Sequence, residues 1–264
     1  MKKRSKIFSK LFMLCIMVFF YMPIVYTVVF SFNSKKSLTH WSGFSLRWYD
    51  KMFSNATMMD ALGTTVTVAV LATIISTIVG TITAIGLSKS NKVLKALVER
   101  INDFPIMNPE IVTAISLLMF FSALGVQKGY ITMLIAHIMF CIPYVMLSVA
   151  PKLRSLDPNL ADAALDLGAT PYQALIKVII PQIMPGVVSG ALVAFTMSFD
   201  DFIISYFVTG NGVSNISILV YTMSKRINPS INALSTIIIL VITVVLVLIN
   251  IVPVLRKWGG VKEQ

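Results

Sequence analysis

The sequence predicts an all-α protein that crosses a membrane six times, because its composition is strongly apolar and its apolar residues fall into six long runs. Hydrophobic residues make up 56% of the 264 residues, charged residues make up 12%, and the mean hydropathy is +0.84. This composition excludes an ordinary soluble domain. A helix that crosses a bilayer needs about 20 apolar residues. We expect such helices at residues 11–32, 61–87, 105–126, 130–149, 185–208 and 233–254, within one transmembrane domain over residues 1–264.

The basic residues predict which side of the membrane each loop occupies. The first apolar run follows five basic residues, is about 22 residues long and has no cleavage pattern of small residues after it, so we expect a retained signal anchor. The N-terminus then lies in the cytoplasm, and six spans return the C-terminus to the same side. Of the 22 basic residues, fifteen fall in the predicted cytoplasmic segments, as the positive-inside rule requires.

A net charge of +11 can also indicate a nucleic-acid partner. Here the basic residues lie in short loops beside apolar spans, where they act as topology signals near anionic lipid headgroups. We therefore expect a lipid bilayer and no nucleic acid. Cys15 and Cys141 both fall inside predicted spans without metal-ligand spacing, which favours plain apolar packing and no metal site.

Two segments are predicted to lie on the outer side of the membrane. The first, residues 33–60, carries the aromatic stretch W-S-G-F-S-L-R-W-Y-D at residues 41–50. Anchoring at the membrane interface is the commoner role of Trp and Tyr there, and packing on a partner is the alternative. The second, residues 209–232, has T-G-N-G followed by a moderately apolar run, and we expect a short re-entrant or surface helix.

The segment between the fourth and fifth spans, residues 150–183, is predicted to contain two short capped helices. Asp157 and Pro158 offer an N-cap and a first-turn proline, and Gly168 offers a stop about ten residues later. Thr170 and Gln173 have the spacing of a capping box, and Pro181 is expected to end the second helix. The result is a helix, a glycine hinge and a helix.

This helix pair could rest on the membrane surface or contact another protein. Its first helix contains the small residues Ala161, Ala163 and Ala164 before Gly168. Helices that lie on a membrane favour bulky apolar side chains, whereas small residues allow another backbone to approach closely. The composition therefore favours a protein partner.

The same residues are similar to the EAA motif of ATP-binding-cassette importer permeases, which reads E-A-A-x-x-x-G, nine residues, then I-x-L-P. Asp162, Ala163, Ala164 and Gly168 match its first half, with Asp in place of Glu. After nine residues, Val178, Ile180 and Pro181 match the second half, with Val for Ile and Ile for Leu. The resemblance implies that this segment docks on a cytoplasmic ATPase. No G-x-x-x-x-G-K-[ST] phosphate loop is present in the sequence, so ATP is expected to be bound and hydrolysed by the partner, and this chain is expected to hold no cofactor and to be no enzyme.

Acidic residues inside the spans predict the substrate pathway. Asp200 and Asp201 lie in the fifth predicted span, within M-S-F-D-D-F-I-I-S. A charge at bilayer depth is costly unless it is paired or faces water, so it indicates a functional site. Two neighbouring carboxylates repel each other, and a di- or polycation would relieve that repulsion. A structural ion pair with another subunit is the alternative.

Glu110, in P-I-M-N-P-E-I-V, is a third candidate for the pathway. Here Asn108, Pro109 and Glu110 also form a plausible N-cap, first-turn proline and dipole-compensating acid, so helix initiation is the favoured explanation and a transport role is the alternative. In the fourth span, His137 is predicted to be a hydrogen-bonded packing residue, and Pro143 is predicted to bend the helix.

Three further stretches look like those of spermidine/putrescine permeases of the C type, within the type I importers with the MetI-like fold. They are F-S-L-R-W-Y at residues 44–49, N-P-E-I-V-T-A-I-S-L-L at 108–118 and S-F-D-D-F-I-I-S-Y-F-V-T-G at 198–210. The resemblance covers essentially the whole chain. It implies a bacterial plasma-membrane permease for polyamines, which are linear polycations. The implied partners are a homologous B-type permease, two copies of an ATPase and an extracytoplasmic polyamine-binding protein.

Two other functions stay open at this point. Related permeases for other cationic or neutral solutes share the coupling motif. A secondary transporter or channel that needs no ATPase is a third hypothesis. Inverted repeats are common in such carriers, and the two three-span halves of this sequence show no clear repeat.

Overall fold

The computed structural model describes residues 2–224 and 228–259. Lys225, Arg226 and Lys262, which contribute to the predicted orientation, lie outside the described residues. Over the described part, the chain forms helices joined by loops. In chain order these are α1 (Lys2–Ser31), α2 (Arg47–Phe53), α3 (Ala56–Ser88), α4 (Lys92–Met107), α5 (Glu110–Ala123), α6 (Tyr130–Arg154), α7 (Leu160–Asp166), α8 (Pro171–Ala174), a π-helical segment (Leu175–Ile179), α9 (Ile180–Asp200), α10 (Ile203–Val208), α11 (Ile216–Met223) and α12 (Pro229–Gly259).

Within the described residues, four helical segments are long and apolar enough to cross a membrane. They are Ser9–Ser31, Ala56–Ser88, Tyr130–Arg154 and Pro171–Asp200. The bent pair of α4 and α5 would count as a fifth span. The sixth predicted span falls within α12, whose stretch Pro229–Val244 is a shorter apolar helix. The all-α membrane fold is confirmed, and the prediction of six spans is compatible with this arrangement.

The third predicted span, residues 105–126, is not one straight helix. α4 continues through Pro105 to Met107, and α5 begins at Glu110 at an angle of 108° to it. Asn108 does not cap α5 as expected; it ends α4 in an extended conformation, with φ −84° and ψ 145°. The physical reason is Pro109, which has no amide hydrogen and disfavours a helical conformation at the residue before it.

The fifth predicted span, residues 185–208, has different limits at both ends. The helix does not end at Pro181: α8, the π-helical segment and α9 form one span from Pro171 to Asp200. The turn before Pro181 is wider than an α-helical turn, because the Ile180 amide donates to the Leu175 carbonyl. This shifts the hydrogen-bond register at the place where proline has no amide hydrogen to donate. At the other end, α9 stops at Asp200, and a separate helix, α10, follows.

The two short helices between α6 and α9 are present, with one change. α7 begins at Leu160, later than predicted, because the Asp157 carboxylate accepts from the Asn159 amide and forms a turn before the helix. The predicted stop is confirmed. Gly168 has a φ of +85°, and the Ala169 amide donates to the Ala164 carbonyl at 3.1 Å, as in a Schellman motif. The capping box of Thr170 and Gln173 is also confirmed.

The described residues form two compact units. The first unit consists of the described residues up to Met59 and from Val220 onward. In this unit α12 packs against α1 and α2. Trp48 is buried in this unit, and its indole Nε1 donates to the Asn33 carbonyl at 2.6 Å. The prediction that Trp48 anchors the chain at the membrane interface is therefore wrong, because both its ring and its N–H group are buried inside the protein.

The second unit, Asp60–Leu219, has its core between α6 and α9. Buried apolar side chains of the two helices meet there, among them Met133, Ala136, Phe140 and Val145 of α6 and Ile183 and Ala194 of α9. A Cβ atom at Gly190 would lie 3.1 Å from the Cα atom of Val145, so the close approach of the helices depends on glycine. Cys141 is buried in this core, as expected for a packing residue, whereas Cys15 of α1 is exposed.

Candidate substrate pathway and coupling surface

The three predicted acidic residues line one cavity of about 380 Å³ in the second unit. Glu110 comes from the break between α4 and α5, and Asp200 and Asp201 come from the break between α9 and α10. Two interrupted helices therefore meet at one site. Interrupted helices supply free backbone groups and side chains to a binding site, a device found in membrane transporters.

The rest of the cavity wall combines aromatic rings with hydroxyl groups. These are Phe140, Tyr144 and Phe202 together with Thr113 and Thr196. Carboxylates can accept hydrogen bonds from amines, and the faces of aromatic rings attract cations. The site is chemically suited to an organic cation that also carries apolar segments.

The two adjacent aspartates have different environments. Asp200 is exposed, whereas only 9% of Asp201 is accessible. The Asp201 carboxylate accepts hydrogen bonds from the amides of Ile204 and Ser205, at 3.2 and 2.7 Å, and from the Ser205 hydroxyl at 2.7 Å. Asp201 thus caps the start of α10, because the first amides of a helix have no partner within the helix. The geometry leaves Asp200 as the freer carboxylate of the two.

The end of α9 is closed by the loop before α11 and by the first residues of that helix. The Asn215 side chain donates to the Asp201 carbonyl at 2.8 Å, and the Ser217 hydroxyl donates to the Asp200 carbonyl at 3.4 Å. The Ile216 amide in turn donates to the Thr65 hydroxyl of α3 at 2.8 Å. The helix break is therefore held from several sides. The short α11 agrees with the helix predicted in residues 209–232.

Glu110 is the first residue of α5 and is exposed toward the cavity. A carboxylate in the first turn is stabilised by the helix dipole. The position of Glu110 is therefore compatible with both predicted roles, helix initiation and a place in the substrate pathway, because the residue begins α5 and lines the cavity.

His137 is buried, with 1% of its surface accessible, as expected for a hydrogen-bonded packing residue. Its Nδ1 lies 2.7 Å from the Ser198 hydroxyl of α9, and its Nε2 lies 2.9 Å from the Ser205 hydroxyl of α10. The sequence did not indicate that its partners would include the residue that binds Asp201. α6 continues through Pro143 from Tyr130 to Arg154.

The segment that carries the EAA-like motif, residues 160–181, is named the coupling segment after the role that the motif implies. It presents apolar side chains to the outside. Leu167 is 90% exposed and Tyr172 is 71% exposed, on either side of Gly168. Asp162 and Ala163 of the motif are also exposed, and α7 packs against α8 and the π-helical segment. Val178 and Ile180, in the second half of the motif, are half-buried where the span begins. The first half of the motif is therefore accessible, and the second half anchors it to α9.

A further cavity, of about 950 Å³, lies in the first unit and was not predicted. Lys36, Arg47 and Lys51 line it together with Trp48. The Arg47 guanidinium and the Lys51 amine lie over the Trp48 ring at 4.7 and 5.1 Å from its centroid. The sequence shows the aromatic stretch and its neighbouring basic residues, but it does not indicate that these basic groups stack on Trp48.

A helical membrane fold, interrupted helices around an acidic cavity and an exposed pair of short helices together define a membrane transport subunit. Residues 76–255 match the family described as "Binding-protein-dependent transport system inner membrane component". The matched region contains both the acidic cavity and the coupling segment, and the chain belongs to this family.

Relatives of known function are similar over most of their length. The spermidine/putrescine transport system permease protein PotC of Escherichia coli K12 is 37% identical over 238 residues, which cover 90% of each chain. The putrescine transport system permease protein PotI of the same organism is 38% identical over 234 residues, 84% of this chain and 82% of its own.

The fold is also seen in solved structures. A bacterial ABC transporter involved in the import of the acidic polysaccharide alginate has a chain that matches with a TM-score of 0.74 at 17% identity, over 97% of this chain and 96% of its own. A bacterial alginate transporter in complex with a periplasmic protein bound to an alginate pentasaccharide matches with a TM-score of 0.71 at 15% identity, over 94% and 93%. At these identities the similarity concerns the fold.

Proposed function

We propose that this chain is the permease subunit of an ATP-binding-cassette importer and that its cargo is a polyamine, spermidine or putrescine. The observation that carries the proposal is the cavity lined by Glu110, Asp200 and Asp201 beside aromatic rings. Polyamines alternate ammonium groups with methylene chains, so they need both kinds of contact. The functions of PotC and PotI support this cargo.

In this proposal Asp200 is the main acceptor for an ammonium group, because its carboxylate is exposed to the cavity. Glu110 faces the same space from α5 and binds a second ammonium group. Asp201 contributes negative charge nearby while it caps α10. A carboxylate inside a span is costly without a partner, and the passing cation supplies that partner for a short time.

The coupling segment is the docking surface for a separate ATPase. Asp162, Ala163, Ala164, Gly168, Val178, Ile180 and Pro181 carry the motif, and the exposed Leu167 and Tyr172 beside it provide apolar surface for a partner. Both termini and this segment lie in the cytoplasm. ATP is hydrolysed by the ATPase dimer, whose closure moves the segment and opens the spans outward. This chain transmits that movement and is not itself an enzyme.

The complete importer contains a homologous B-type permease, the ATPase dimer and an extracytoplasmic polyamine-binding protein in the bacterial plasma membrane. Residues 1–264 act as one permease domain, and residues 150–183 form its coupling loop. The periplasmic protein bound to the related alginate transporter supports an extracytoplasmic binding protein as a partner.

The test is uptake of labelled spermidine and putrescine by cells that carry the complete importer and no other polyamine uptake system. The Asp200→Asn variant should reduce uptake by more than about ten-fold while the complex still assembles, because it removes the charge that pairs with the cargo. Asp50→Asn is the matched control, since Asp50 is an exposed aspartate of α2 that does not line the cavity. Normal polyamine uptake by Asp200→Asn would contradict the assigned role. If the wild-type importer takes up a different solute and neither polyamine, that solute is the cargo.

A further inference from the structure

His137 connects three elements at the break between α9 and α10. The residue belongs to α6, and its two ring nitrogens contact Ser198 of α9 and Ser205 of α10, which are 61 and 68 residues away in the sequence. The Ser205 hydroxyl also binds Asp201 and the side chain of Asn215. These five residues are all buried. They form one polar network beside the acidic cavity.

The protons in this network can be assigned from the Ser205 hydroxyl. A hydroxyl has one hydrogen to donate and two lone pairs to accept. Ser205 donates its hydrogen to the Asp201 carboxylate, which can only accept. It therefore accepts from the Asn215 amide at 2.9 Å and from His137 Nε2 at 2.9 Å. His137 must carry a hydrogen on Nε2.

The other ring nitrogen is satisfied by a neutral imidazole. With its hydrogen on Nε2, neutral histidine accepts at Nδ1, and the Ser198 hydroxyl at 2.7 Å is the donor. The chain of donors then runs from Ser198 to His137, to Ser205 and to Asp201. His137 Nε2 is also 3.4 Å from the Asp201 carboxylate, a longer distance than that to Ser205, so the hydroxyl is its direct partner.

The network determines where the neighbouring Asp200 can point. Asp201 has an extended backbone, with φ −63° and ψ 127°, and its side chain is directed to the interior by His137 and Ser205. Asp200 is the last residue of α9 and Asp201 is the first residue after it, and the first side chain is exposed while the second is buried. Holding the Asp201 side chain in place therefore fixes the backbone at the end of α9, and with it the direction of the Asp200 carboxylate. The observed exposure of Asp200 at the cavity agrees with this relation.

We propose that His137 is a positioning residue for transport: through its Nε2 hydrogen bond to Ser205 it holds the break between α9 and α10 so that the Asp200 carboxylate faces the cargo. This inference rests on the proposed role of Asp200 in accepting a cation. In this proposal a buried histidine that does not contact the cargo controls the geometry of the site.

A purely structural role would predict that loss of His137 only lowers the amount of folded chain. Two amide variants separate the roles. The shorter side chain of His137→Asn can replace Nδ1 and keep the contact with Ser198, whereas the longer one of His137→Gln can place an N–H group near the position of Nε2 and donate to Ser205. Cys141→Ala is the matched control, because Cys141 is fully buried one turn further along α6 and donates only a weak bond, to the Ala194 carbonyl.

The first measurement is the initial rate of labelled spermidine uptake, divided by the amount of the complex in the membrane. We expect His137→Asn to lower this rate by about ten-fold or more, because a displacement of about 1 Å at a site can cost on the order of 100-fold. His137→Gln and Cys141→Ala should stay within about three-fold of the wild type by the same reasoning. Equal losses in the two amide variants, or none in His137→Asn, would overturn the proposal.

The second measurement needs no polyamine. Asp200→Cys is introduced into a chain in which Cys15 and Cys141 are replaced by alanine, and the rate of labelling with a cationic methanethiosulfonate is measured in the assembled complex. Adding His137→Asn should slow or speed labelling by about ten-fold, because the side chain leaves its place in the cavity, and adding His137→Gln should not. An unchanged rate with His137→Asn would overturn the proposal. A changed rate in an importer that takes up no polyamine would reject the cargo and keep the positioning role.

Discussion

The two aspartates show how the role of a residue depends on its backbone. Asp200 is the last residue of α9, and Asp201 is the first residue after it, so one carboxylate is exposed to the cavity and the other caps the next helix. Sequence reasoning treated them as a pair of like charges with one function. Their environments instead predict different consequences for the same substitution.

We expect Asp201→Ala to act mainly on stability. It leaves the amides of Ile204 and Ser205 without their acceptor, and loss of such a cap with its buried hydrogen bonds costs about 1–3 kcal/mol. The measurement is the temperature of thermal unfolding of the purified chain in detergent. Asp200→Ala serves as the comparison and should unfold close to the wild-type temperature. An equal decrease for both variants would show that the two carboxylates share one role.

At the scale of the element, the short coupling helices depend on one backbone conformation. Gly168 adopts a φ of +85°, and a Cβ atom there would meet no atom within 4 Å, so there is space for a side chain but the backbone favours glycine. The motif glycine is thus required by the turn between α7 and α8, and not by close contact within this chain.

Gly168→Val should therefore disrupt binding to the ATPase, because a left-handed conformation costs a residue with a Cβ about 1–2 kcal/mol and a branched side chain more. Gly168→Asn is the matched control, since asparagine tolerates this conformation. The measurement is the amount of ATPase that copurifies with the chain. Retention of the ATPase by the valine variant, or its loss from both variants, would contradict a conformational role of Gly168.

The packing of α6 against α9 provides a second test at this scale. A methyl group at Gly190 would lie 3.1 Å from the Cα atom of Val145, whereas one at Gly63 of α3 would meet no atom within 4 Å. We expect Gly190→Ala to destabilise the chain by about 1–3 kcal/mol through overpacking. Gly63→Ala should be neutral or stabilising, because alanine favours a helix by about 0.5–1 kcal/mol over glycine. Thermal unfolding of the two variants measures the difference, and equal stabilities would exclude close packing at Gly190.

At the scale of the whole molecule, one continuous span connects the second half of the coupling segment with Asp200 in the cavity wall. The stretch Pro171–Asp200 begins with the capping box of Thr170 and ends at the acidic residue that faces the cavity. A movement of the coupling segment can therefore reach the substrate pathway along one continuous helical stretch. This connection is what a permease driven by a separate ATPase requires.

The complete importer should accordingly hydrolyse ATP faster when the binding protein and spermidine are both present. Reconstitution of the complex in lipid vesicles and measurement of phosphate release with a panel of polyamines tests this expectation. Asp200→Asn should retain stimulation by the loaded binding protein while it loses transport, because the coupling segment is intact. Transport of polyamine by the purified chain without an ATPase would contradict the whole mechanism.

Sequence reasoning succeeded where the signal is local. The caps at Thr170 and Gly168 depend on residues within one or two helical turns, and both are present. It failed at the limits of the third and fifth spans, where hydropathy continues across a break. Pro109 is a signal in the sequence for one break, but a proline at this place also fits the first turn of a helix, so the sequence does not decide between the two. Nothing in the run around Asp201 marks the other break.

By itself, the sequence determined the helical membrane class, the coupling motif and the acidic residues, because these depend on composition and short spacing. Only the tertiary structure decided that Glu110 and Asp200 share a cavity and that His137 contacts Ser205, the residue that binds Asp201. The first two residues are 90 positions apart in the sequence, and His137 and Ser205 are 68 positions apart. Hydrophobic periodicity describes which face of a helix is apolar, and it carries no information about which distant helix will lie against that face.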